Sequence, residues 1–311
     1  MPERAWTLDA IETALAGLPR PEFRARLRAD LERRAVMTTS TNAMETPPAA
    51  ARPAWVPAGY RTVTPYLVVP DAPAVIEFAK AVFGAEETLR AIGPAGGVHA
   101  EVRIGDSMVM IGGGAPGLAW RGAAMATALH VYVPDVDAAF DRAVRAGATV
   151  DHAPRDLDYP ERGCGVIDAG GNRWYIATAR GAAFTPAGLG TVTPYLHPRR
   201  GDAVIAFLVR AFGATLVERH AAPDGVVHHA KVRLGDSTVE MGDAHGPYQP
   251  MPTMFYVFVP DADAAYARAV EAGATPLAAP ADQASGAQRG GVMDPFGNQW
   301  YLAASKRVDN R

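Results

Sequence analysis

The sequence predicts an α+β protein that consists of two tandem copies of one domain, preceded by a helical N-terminal extension. The first observation behind this prediction is an internal repeat: VTPYL occurs at residues 63–67 and again at residues 192–196. Near the end of each copy, GNRWY at residues 171–175 matches GNQWY at residues 297–301. The second observation is that helical and strand periodicity alternate in the same order within both copies.

The N-terminal part differs in character from the repeats. Residues 7–17 and 21–35 show the apolar spacing of helices, and residues 38–57 are rich in Thr, Ser, Pro and Ala, a composition typical of a linker. We therefore expect a helical extension over residues 1–37, a linker over residues 38–59, a first domain over residues 60–180 and a second over residues 188–306. The extension is expected to be either a helical pair docked on the body or an arm that binds a partner.

Each copy is predicted to contain two βαβββ modules. A strand leads into a helix that ends at a glycine, Gly84 or Gly213, and alternating strands follow around a Gly-Asp-Ser turn. A second strand then leads into a helix that ends at Gly147 or Gly273, followed by strands around a Gly-Asn turn.

Composition narrows the classes of function. The chain has 311 residues, a formal net charge of -3 and a pI near 6.2, so it lacks the broad basic surface that binds nucleic acid or anionic lipid. Its single cysteine, Cys164, cannot form an intrachain disulfide, which is typical of a reducing compartment. No uncharged apolar run reaches membrane-spanning length. We expect a cytoplasmic protein without nucleic-acid or membrane partners.

The module order and two motifs carry a family resemblance. VPD at residues 133–135 and 259–261 precedes the second helix of each copy, and DPFGN at residues 294–298 precedes the last strand. With these motifs the chain resembles the vicinal-oxygen-chelate superfamily, which includes glyoxalases, bleomycin-resistance proteins and extradiol dioxygenases. The TPYL opening and the hairpin that follows His99 and His229 are similar to its PhnB-like branch. The resemblance implies tandem vicinal-oxygen-chelate domains, each with two βαβββ modules forming a curved mixed-sheet cup for a small molecule.

Strand alternation indicates which side chains face the cups. Since Ala100, Val102 and Ile104 are apolar and belong under the helices, His99 and Glu101 point the other way. The same argument, with the resemblance, gives this predicted set of ligand-binding residues: Tyr66, His99, Glu101, Met110, His130, Tyr132, Arg162, Tyr175, Tyr195, His229, Glu240, Tyr256, Arg289 and Tyr301.

The resemblance also implies four metal-ligand positions in each domain. They map to Thr64, Met110, Ala128 and Tyr175 in the first copy, and to Thr193, Glu240, Met254 and Tyr301 in the second. Only Glu240 has a metal-binding side chain, and a catalytic ion of this class needs about three protein donors. We therefore predict no metal ligand and no cofactor, although a displaced divalent metal near His99, Glu101 and His130 stays open.

The aromatic lining is the main functional clue, because flat rings with hydroxyl donors stack on and orient a ring-containing ligand. The same aromatics are also common cross-strand stabilisers. An arginine before the closing hairpin of each copy, Arg162 and Arg289, either binds a carboxylate or phosphate at the rim or is a solvated turn residue.

Two main functions follow. The first is a metal-independent protein that binds or sequesters a small, aromatic molecule, as a monomer or a homodimer. The alternative is an enzyme, a lyase, isomerase or dioxygenase, that uses a displaced metal or Glu240 and His130 as acid/base groups. A third interpretation treats the repeats as a scaffold and the extension as a docking arm.

Overall fold

A computed structural model of the chain describes residues 51–93, 96–283 and 286–305. The predicted N-terminal helices and most of the linker lie outside the described residues. The described residues belong to one compact unit.

The first repeat contains two βαβββ modules, as predicted. The first module has the following elements: β1 (Val63–Val69), α1 (Ala72–Phe83), β2 (Glu86–Ile92), β3 (Val98–Ile104) and β4 (Ser107–Gly113). The second module has the following elements: β5 (Ala128–Tyr132), α2 (Val136–Arg145), β6 (Thr149–Asp156), β7 (Glu161–Ile167) and β8 (Arg173–Ala179).

The second repeat has the same element order. Its first module consists of β9 (Val192–Leu196), α3 (Gly201–Phe212), β10 (Thr215–Ala221), β11 (Val227–Leu234) and β12 (Ser237–Met241). Its second module consists of β13 (Met254–Phe258), α4 (Ala262–Glu271), β14 (Thr275–Asp282), β15 (Ala287–Met293) and β16 (Gln299–Ser305).

The helix ends follow from local sequence. Asp71 accepts a hydrogen bond from the backbone N–H of Ala74, which satisfies one of the unpaired donors in the first turn of α1. Gly84 ends α1 in the left-handed conformation, with φ of 66°, and Gly213 ends α3 with φ of 68°. Glycine adopts this conformation without the steric penalty of a side chain, so both predicted helix ends are confirmed.

The strands form two mixed eight-stranded sheets, and each sheet takes one module from each repeat. Sheet 1 has the order β14-β15-β16-β13-β1-β4-β3-β2, and sheet 2 has the order β10-β11-β12-β9-β5-β8-β7-β6. Antiparallel pairing of β1 with β13 joins the repeats in sheet 1, and pairing of β5 with β9 joins them in sheet 2. The α+β class with tandem modules is confirmed. Because the two modules of one repeat lie in different sheets, each concave face is lined by both repeats.

The hydrophobic cores, in contrast, follow the repeats. Trp174 in β8 packs on Phe78 and Phe83 of α1, so the core of the first repeat joins its two modules. Trp300 packs in the same way on Phe212 of α3 in the second repeat. Both tryptophans are fully buried, as their strand positions predict. Each repeat is thus held together by its core, and the two repeats are joined by their sheets.

Among the described residues, the search for a helix both long and apolar enough to cross a bilayer finds none.

Candidate functional site

Strand alternation places polar side chains on the sheet faces opposite the cores. In β3, Ala100 and Val102 are fully buried in the core, whereas His99 and Glu101 line a cavity on the other face. Register pairs His99 with Gly112 and Glu101 with Met110 across β3 and β4. Two cavities result, which we call hollow 1 on sheet 1 and hollow 2 on sheet 2.

Hollow 1 is a cavity of about 750 Å³ lined mainly by aromatic and apolar groups. The predicted residues that line it come from both repeats: Tyr66, His99, Glu101, Met110, Tyr256, Arg289 and Tyr301. Tyr60, Trp120 and Phe258 add further aromatic faces. Phe258 contacts both Tyr60 and Tyr256 edge-to-face, each at a centroid separation of 5.2 Å. Such contacts fix the rings and leave flat surfaces toward the cavity.

A chain of polar contacts crosses one wall of hollow 1. The Tyr60 hydroxyl donates to Oε2 of Glu101, and Oε1 of Glu101 lies 3.7 Å from Nε2 of His99. The other ring nitrogen of His99, Nδ1, is 2.9 Å from the Tyr66 hydroxyl. Contact with His99, followed by donation from Tyr60, lowers the pKa of Glu101 despite partial burial. Burial raises the pKa of Tyr66 to about 12. At neutral pH this wall therefore carries one carboxylate and a neutral phenol.

Arg289 lies on β15, toward the other edge of sheet 1 from the β3 strand that carries Glu101, and both side chains line the same hollow. Its guanidinium lies over the Tyr256 ring, with Cζ 5.0 Å from the ring centroid, and its Nε donates to the Tyr256 hydroxyl over 3.0 Å. The side chain is exposed and lines hollow 1. A guanidinium on an aromatic face keeps its outer N–H groups available for an anion.

Arg162 does not share this position, so the expectation that it lines a cup is wrong. Its Nε and Nη2 each donate to Asp137 of α2 over 2.7 Å, on the outer face of sheet 2. The register explains the difference: Arg162 pairs with Thr178, whereas Arg289 pairs with Ala303. The first repeat has one more residue than the second between this arginine and the following tryptophan. A shift of one residue in a strand turns a side chain to the other face.

Hollow 2 is smaller, with a volume of about 220 Å³, and more polar. Of the predicted residues, His130, Tyr175, Tyr195 and His229 line it. Its lining holds six of the eight histidines of the chain: His130, His152, His197, His228, His229 and His245. The predicted residues Tyr132 and Glu240 are buried behind His130. The two hollows therefore offer different chemistry.

His130 and Glu240 form a buried ion pair between the repeats. Nδ1 of His130 is 2.8 Å from Oε2 of Glu240, and Glu240 is only 1% exposed. Burial disfavours the charged imidazole, but the Glu240 carboxylate outweighs it and the pKa of His130 is raised. Burial likewise opposes ionisation of Glu240, but His130, with His229 and Lys231, lowers its pKa. The two shifts both favour an imidazolium beside a carboxylate.

Glu161 is a second carboxylate beside His130. Its Oε2 is 3.8 Å from Nε2 of His130, is buried and makes no hydrogen bond among the described residues. The Tyr132 hydroxyl donates to Oε1 of Glu161 over 3.0 Å. His130 thus has a carboxylate near each ring nitrogen.

His197 is another buried histidine that lines hollow 2. Nε2 of His197 is 2.7 Å from the Tyr175 hydroxyl, and its ring stacks on Tyr248 at a centroid separation of 5.7 Å. Burial, together with the nearby Arg173 guanidinium, lowers the pKa of His197 to about 4. His197 is therefore neutral at pH 7.

Comparisons with known proteins agree with this architecture. Residues 198–302 match the family model described as the Glyoxalase/Bleomycin resistance protein/Dioxygenase superfamily. Glyoxalase I from Zea mays has a similar structure, with a TM-score of 0.60 at 14% identity over 78% of this chain and 92% of that chain. The chain belongs to this superfamily. An uncharacterized protein of Mycobacterium bovis is 38% identical over 130 residues, which is 38% of this chain and 86% of the relative. A Mycobacterium tuberculosis H37Rv protein, also uncharacterized, has the same identity over 76% of its length.

The superfamily suggests a divalent metal, but the side chains at the four corresponding positions do not fit one. On sheet 1, which forms hollow 1, these positions are occupied by Thr64, Met110, Met254 and Tyr301. On sheet 2, which forms hollow 2, they are occupied by Ala128, Tyr175, Thr193 and Glu240. The Glu240 carboxylate already contacts His130 at 2.8 Å and Lys231 at 3.8 Å, so protein cations balance its charge. Within residues 51–93, 96–283 and 286–305, no group of three His, Cys, Asp or Glu side chains is arranged to hold an ion.

Several lining residues were missed because they lie outside the regular strands. Tyr60 precedes β1, Trp120 follows β4 and Tyr248 follows β12, and strand alternation says nothing about the direction of a loop side chain. Glu161 was missed for another reason: the family resemblance points to its neighbour Arg162, which lies on the other face of β7. The hairpin register pairs Val166 with the core residue Trp174, and alternation back along β7 then places Arg162 on the core side and Glu161 on the opposite face.

Proposed function

We propose that this chain is a small-molecule-binding protein that takes a ring-containing ligand in hollow 1 without a metal ion. The observation that carries the proposal is the aromatic lining of hollow 1, to which both repeats contribute. Tyr66 comes from the first repeat, and Tyr256, Phe258 and Tyr301 come from the second.

The size and chemistry of hollow 1 support this function. Small-molecule sites have volumes of about 300–1,000 Å³ and are mostly apolar, with a few polar groups that orient the ligand. Hollow 1 has a volume of about 750 Å³, and His99, Glu101 and Arg289 are its charged or ionisable side chains other than tyrosine. Flat aromatic walls favour a planar ligand, because ring stacking adds about 0.5–1.5 kcal/mol per pair beyond the burial of area.

Binding without a metal is supported by the side chains at the superfamily's four metal-ligand positions in each hollow. Thr, Met, Met and Tyr occupy the superfamily positions in hollow 1, and divalent ions with open coordination sites require imidazole or carboxylate donors. In hollow 2 the single carboxylate at those positions, Glu240, is neutralised by His130 and Lys231.

The test is fluorescence titration with N-phenyl-1-naphthylamine, a neutral aromatic probe, using protein dialysed against EDTA. Tyr301 and Tyr175 occupy equivalent strand positions in sheets 1 and 2, so they form a matched pair of variants. We expect Tyr301→Ala to weaken probe binding about three- to tenfold and Tyr175→Ala to leave it within twofold.

Absence of saturable binding of both N-phenyl-1-naphthylamine and its anionic analogue 1-anilino-8-naphthalenesulfonate by the full chain would refute the proposal. So would binding that disappears after EDTA dialysis and returns with added metal. Equal effects of Tyr301→Ala and Tyr175→Ala would place the ligand outside hollow 1 and also count against it.

A second candidate function, proton transfer in hollow 2, is favoured by the His130–Glu240 pair. Glu240 holds Nδ1 of His130, which leaves Nε2 as the proton donor toward a bound molecule. A protonated imidazole in a small polar cavity can donate its proton to a carbonyl oxygen while a solvent water takes the α-proton, which forms the enol; return of a deuteron from D2O then gives the exchanged compound. His130 would be the catalytic residue and Glu240 a positioning residue.

This candidate is tested by proton NMR in D2O with small enolisable carbonyl compounds such as pyruvate and dihydroxyacetone. Enzyme-dependent loss of the α-proton signals that His130→Gln abolishes and His152→Gln preserves would support it. Exchange that His130→Gln leaves unchanged would rule out this role for His130, and absence of exchange with every compound tested counts against the candidate.

A further inference from the structure

We infer that the ligand of hollow 1 is a planar aromatic anion whose negative group pairs with the Arg289 guanidinium. This inference rests on the function proposed above and specifies the class of ligand. It depends on how the two repeats place their arginines and on the charges that line hollow 1.

Arg289 is presented to hollow 1 in a geometry suited to an anion. Its guanidinium is held against the Tyr256 ring at 5.0 Å, and within residues 51–93, 96–283 and 286–305 only its Nε donates a hydrogen bond, to the Tyr256 hydroxyl. No carboxylate pairs with it among the described residues. Its outer N–H groups match the two oxygens of a carboxylate, sulfonate or phosphate.

The two repeats provide an internal comparison. In the first repeat, Asp137 of α2 accepts two hydrogen bonds from Arg162 and neutralises it. In the second repeat the corresponding Asp263 of α4 accepts from Gln288 over 2.7 Å. The shift of one residue gives Gln288 the structural position of Arg162, and Arg289 then turns into the hollow. In hollow 2 the position that corresponds to Arg289 is Gly163, which carries no charge.

The remaining charges of hollow 1 orient the ligand. Glu101 is the one carboxylate among the described residues that line hollow 1. Its charge is stabilised by the Tyr60 hydroxyl and by His99. Strand β3, which carries Glu101, and strand β15, which carries Arg289, are five strand positions apart in sheet 1. An anionic group is repelled at the Glu101 wall and attracted at the Arg289 wall. The ring system then lies between them, against Tyr66 and Tyr256.

The experiment compares two fluorescent probes with the same ring system. One is 1-anilino-8-naphthalenesulfonate, which is an anion, and the other is neutral N-phenyl-1-naphthylamine. Both are titrated into the full chain and into Arg289→Met, Arg289→Lys and Arg162→Met. Arg162→Met is the matched control, since this arginine lies on the outer face. Circular dichroism checks that each variant retains the fold.

Arg289→Met is expected to weaken binding of the sulfonate about tenfold to a hundredfold and to leave the neutral probe within twofold. Arg289→Lys should recover part of the loss, because it keeps the charge but not the planar fork. Arg162→Met should change neither probe. In competition, 1-naphthoate and 1-naphthyl phosphate should displace the sulfonate more strongly than neutral 1-naphthalenemethanol, and their order identifies the preferred anion.

The inference would be overturned if Arg289→Met weakened binding of both probes to the same extent, or if it weakened binding of neither. The proposed function would stay in place in either case. Equal competition by the neutral alcohol would also overturn it. If neither probe binds the wild-type chain, the proposed function itself fails. If Arg289→Met does not fold, the probe preference and the competition series in the wild-type chain decide the question.

Discussion

Nδ1 of His130 lies 2.8 Å from Oε2 of Glu240, and the two residues belong to different repeats. His130 is on β5 and Glu240 is on β12, with β9 between them in sheet 2. The pair therefore connects the repeats through charge at a place where their strands are also joined by hydrogen bonds. Breaking a buried pair costs more than the pair contributes, because the remaining charge is left in a poorly solvated site.

Replacing one member of this pair should destabilise the protein in a pH-dependent way. The pKa of His130 is raised above 6.5, so its contribution is complete below pH 6.5 and is lost as pH rises through the raised value. The pKa of Glu240 is lowered below 4.5, so its contribution is complete above pH 4.5 and is lost as pH falls through the lowered value. Both contributions are complete between these limits. At pH 5.5 we expect His130→Leu to cost about 3–5 kcal/mol of unfolding free energy, measured by urea denaturation.

A double-mutant cycle with Glu240→Gln isolates the interaction between the two side chains. We expect a coupling energy of about 0.5–3 kcal/mol at pH 5.5 and a smaller one above the pKa of His130. A coupling energy near zero at both pH values would mean that the pair does not join the repeats energetically.

The sequence alone was sufficient to predict the βαβββ modules and the sheet face to which most of the named strand residues point. Alternation in β3 and β5 identifies His99, Glu101 and His130, because a core face and a solvent face require opposite chemistry. The sequence was not sufficient to assign modules to sheets. The repeats are similar, so pairing within a repeat and pairing between repeats satisfy the same hydrophobic pattern. The sequence offers Glu240 and His130 as acid/base groups, but the 2.8 Å contact between them follows from pairing between repeats, which the pattern does not determine.

The other failures have local causes. Arg162 and Arg289 occur in similar motifs, but one extra residue in the first repeat places them on opposite sheet faces. Trp120 and Tyr248 lie in loops, whose direction depends on tertiary contacts rather than on periodicity.

His197 predicts a pH effect of the opposite sign. Its pKa is lowered to about 4 from an ordinary value of 6.5, by burial first and by Arg173 next. The stability that this neutral histidine contributes is therefore complete above pH 6.5 and is lost as pH falls toward 4. The loss amounts to roughly 3 kcal/mol at most, since each pKa unit corresponds to about 1.4 kcal/mol.

We expect His197→Gln to flatten the fall in unfolding free energy between pH 6.5 and pH 4, measured by urea denaturation at several pH values. Gln can still approach the Tyr175 hydroxyl that bonds His197 in the wild type. His220→Gln, at an exposed position on β10, is the control and should follow the wild-type curve. A His197→Gln curve parallel to that of the wild type would contradict the assignment.

The aspartates that precede the last strand of each repeat should be structural rather than functional. Oδ1 of Asp294 accepts from the backbone N–H groups of Phe296 and Asn298, and Oδ2 accepts from the Asn298 amide and from Nε1 of Trp300. Asp168 makes equivalent contacts with Asn172 and Trp174. Asp294→Ala leaves several buried donors unpaired and should cost about 2–4 kcal/mol of unfolding free energy.

The measurement is urea denaturation of Asp294→Ala together with titration of the neutral naphthylamine probe under native conditions. Asp263→Ala removes an exposed acceptor from α4 and should change stability by less than about 0.5 kcal/mol. Probe affinity should be unchanged in both variants. A fall in affinity at full native signal would show that this motif contributes to the ligand site.

Gly112 should control the shape of hollow 1 through Tyr66. A Cβ atom at residue 112 would collide with the Tyr66 hydroxyl and would lie 2.8 Å from its Cε1. Since the ring end of Tyr66 can move, Gly112→Ala is expected to displace it and to break the 2.9 Å contact between its hydroxyl and Nδ1 of His99. The neutral probe should then bind at least about threefold more weakly, because one stacking face is lost. Gly93→Ala is the matched control on the same wall, since its Cβ would meet only a carbonyl oxygen at an ordinary 3.6 Å. Probe titration and thermal unfolding of both variants distinguish a change in the shape of the cavity from a loss of stability of the fold. Equal probe affinities for Gly112→Ala and Gly93→Ala would show that Tyr66 does not contact the ligand.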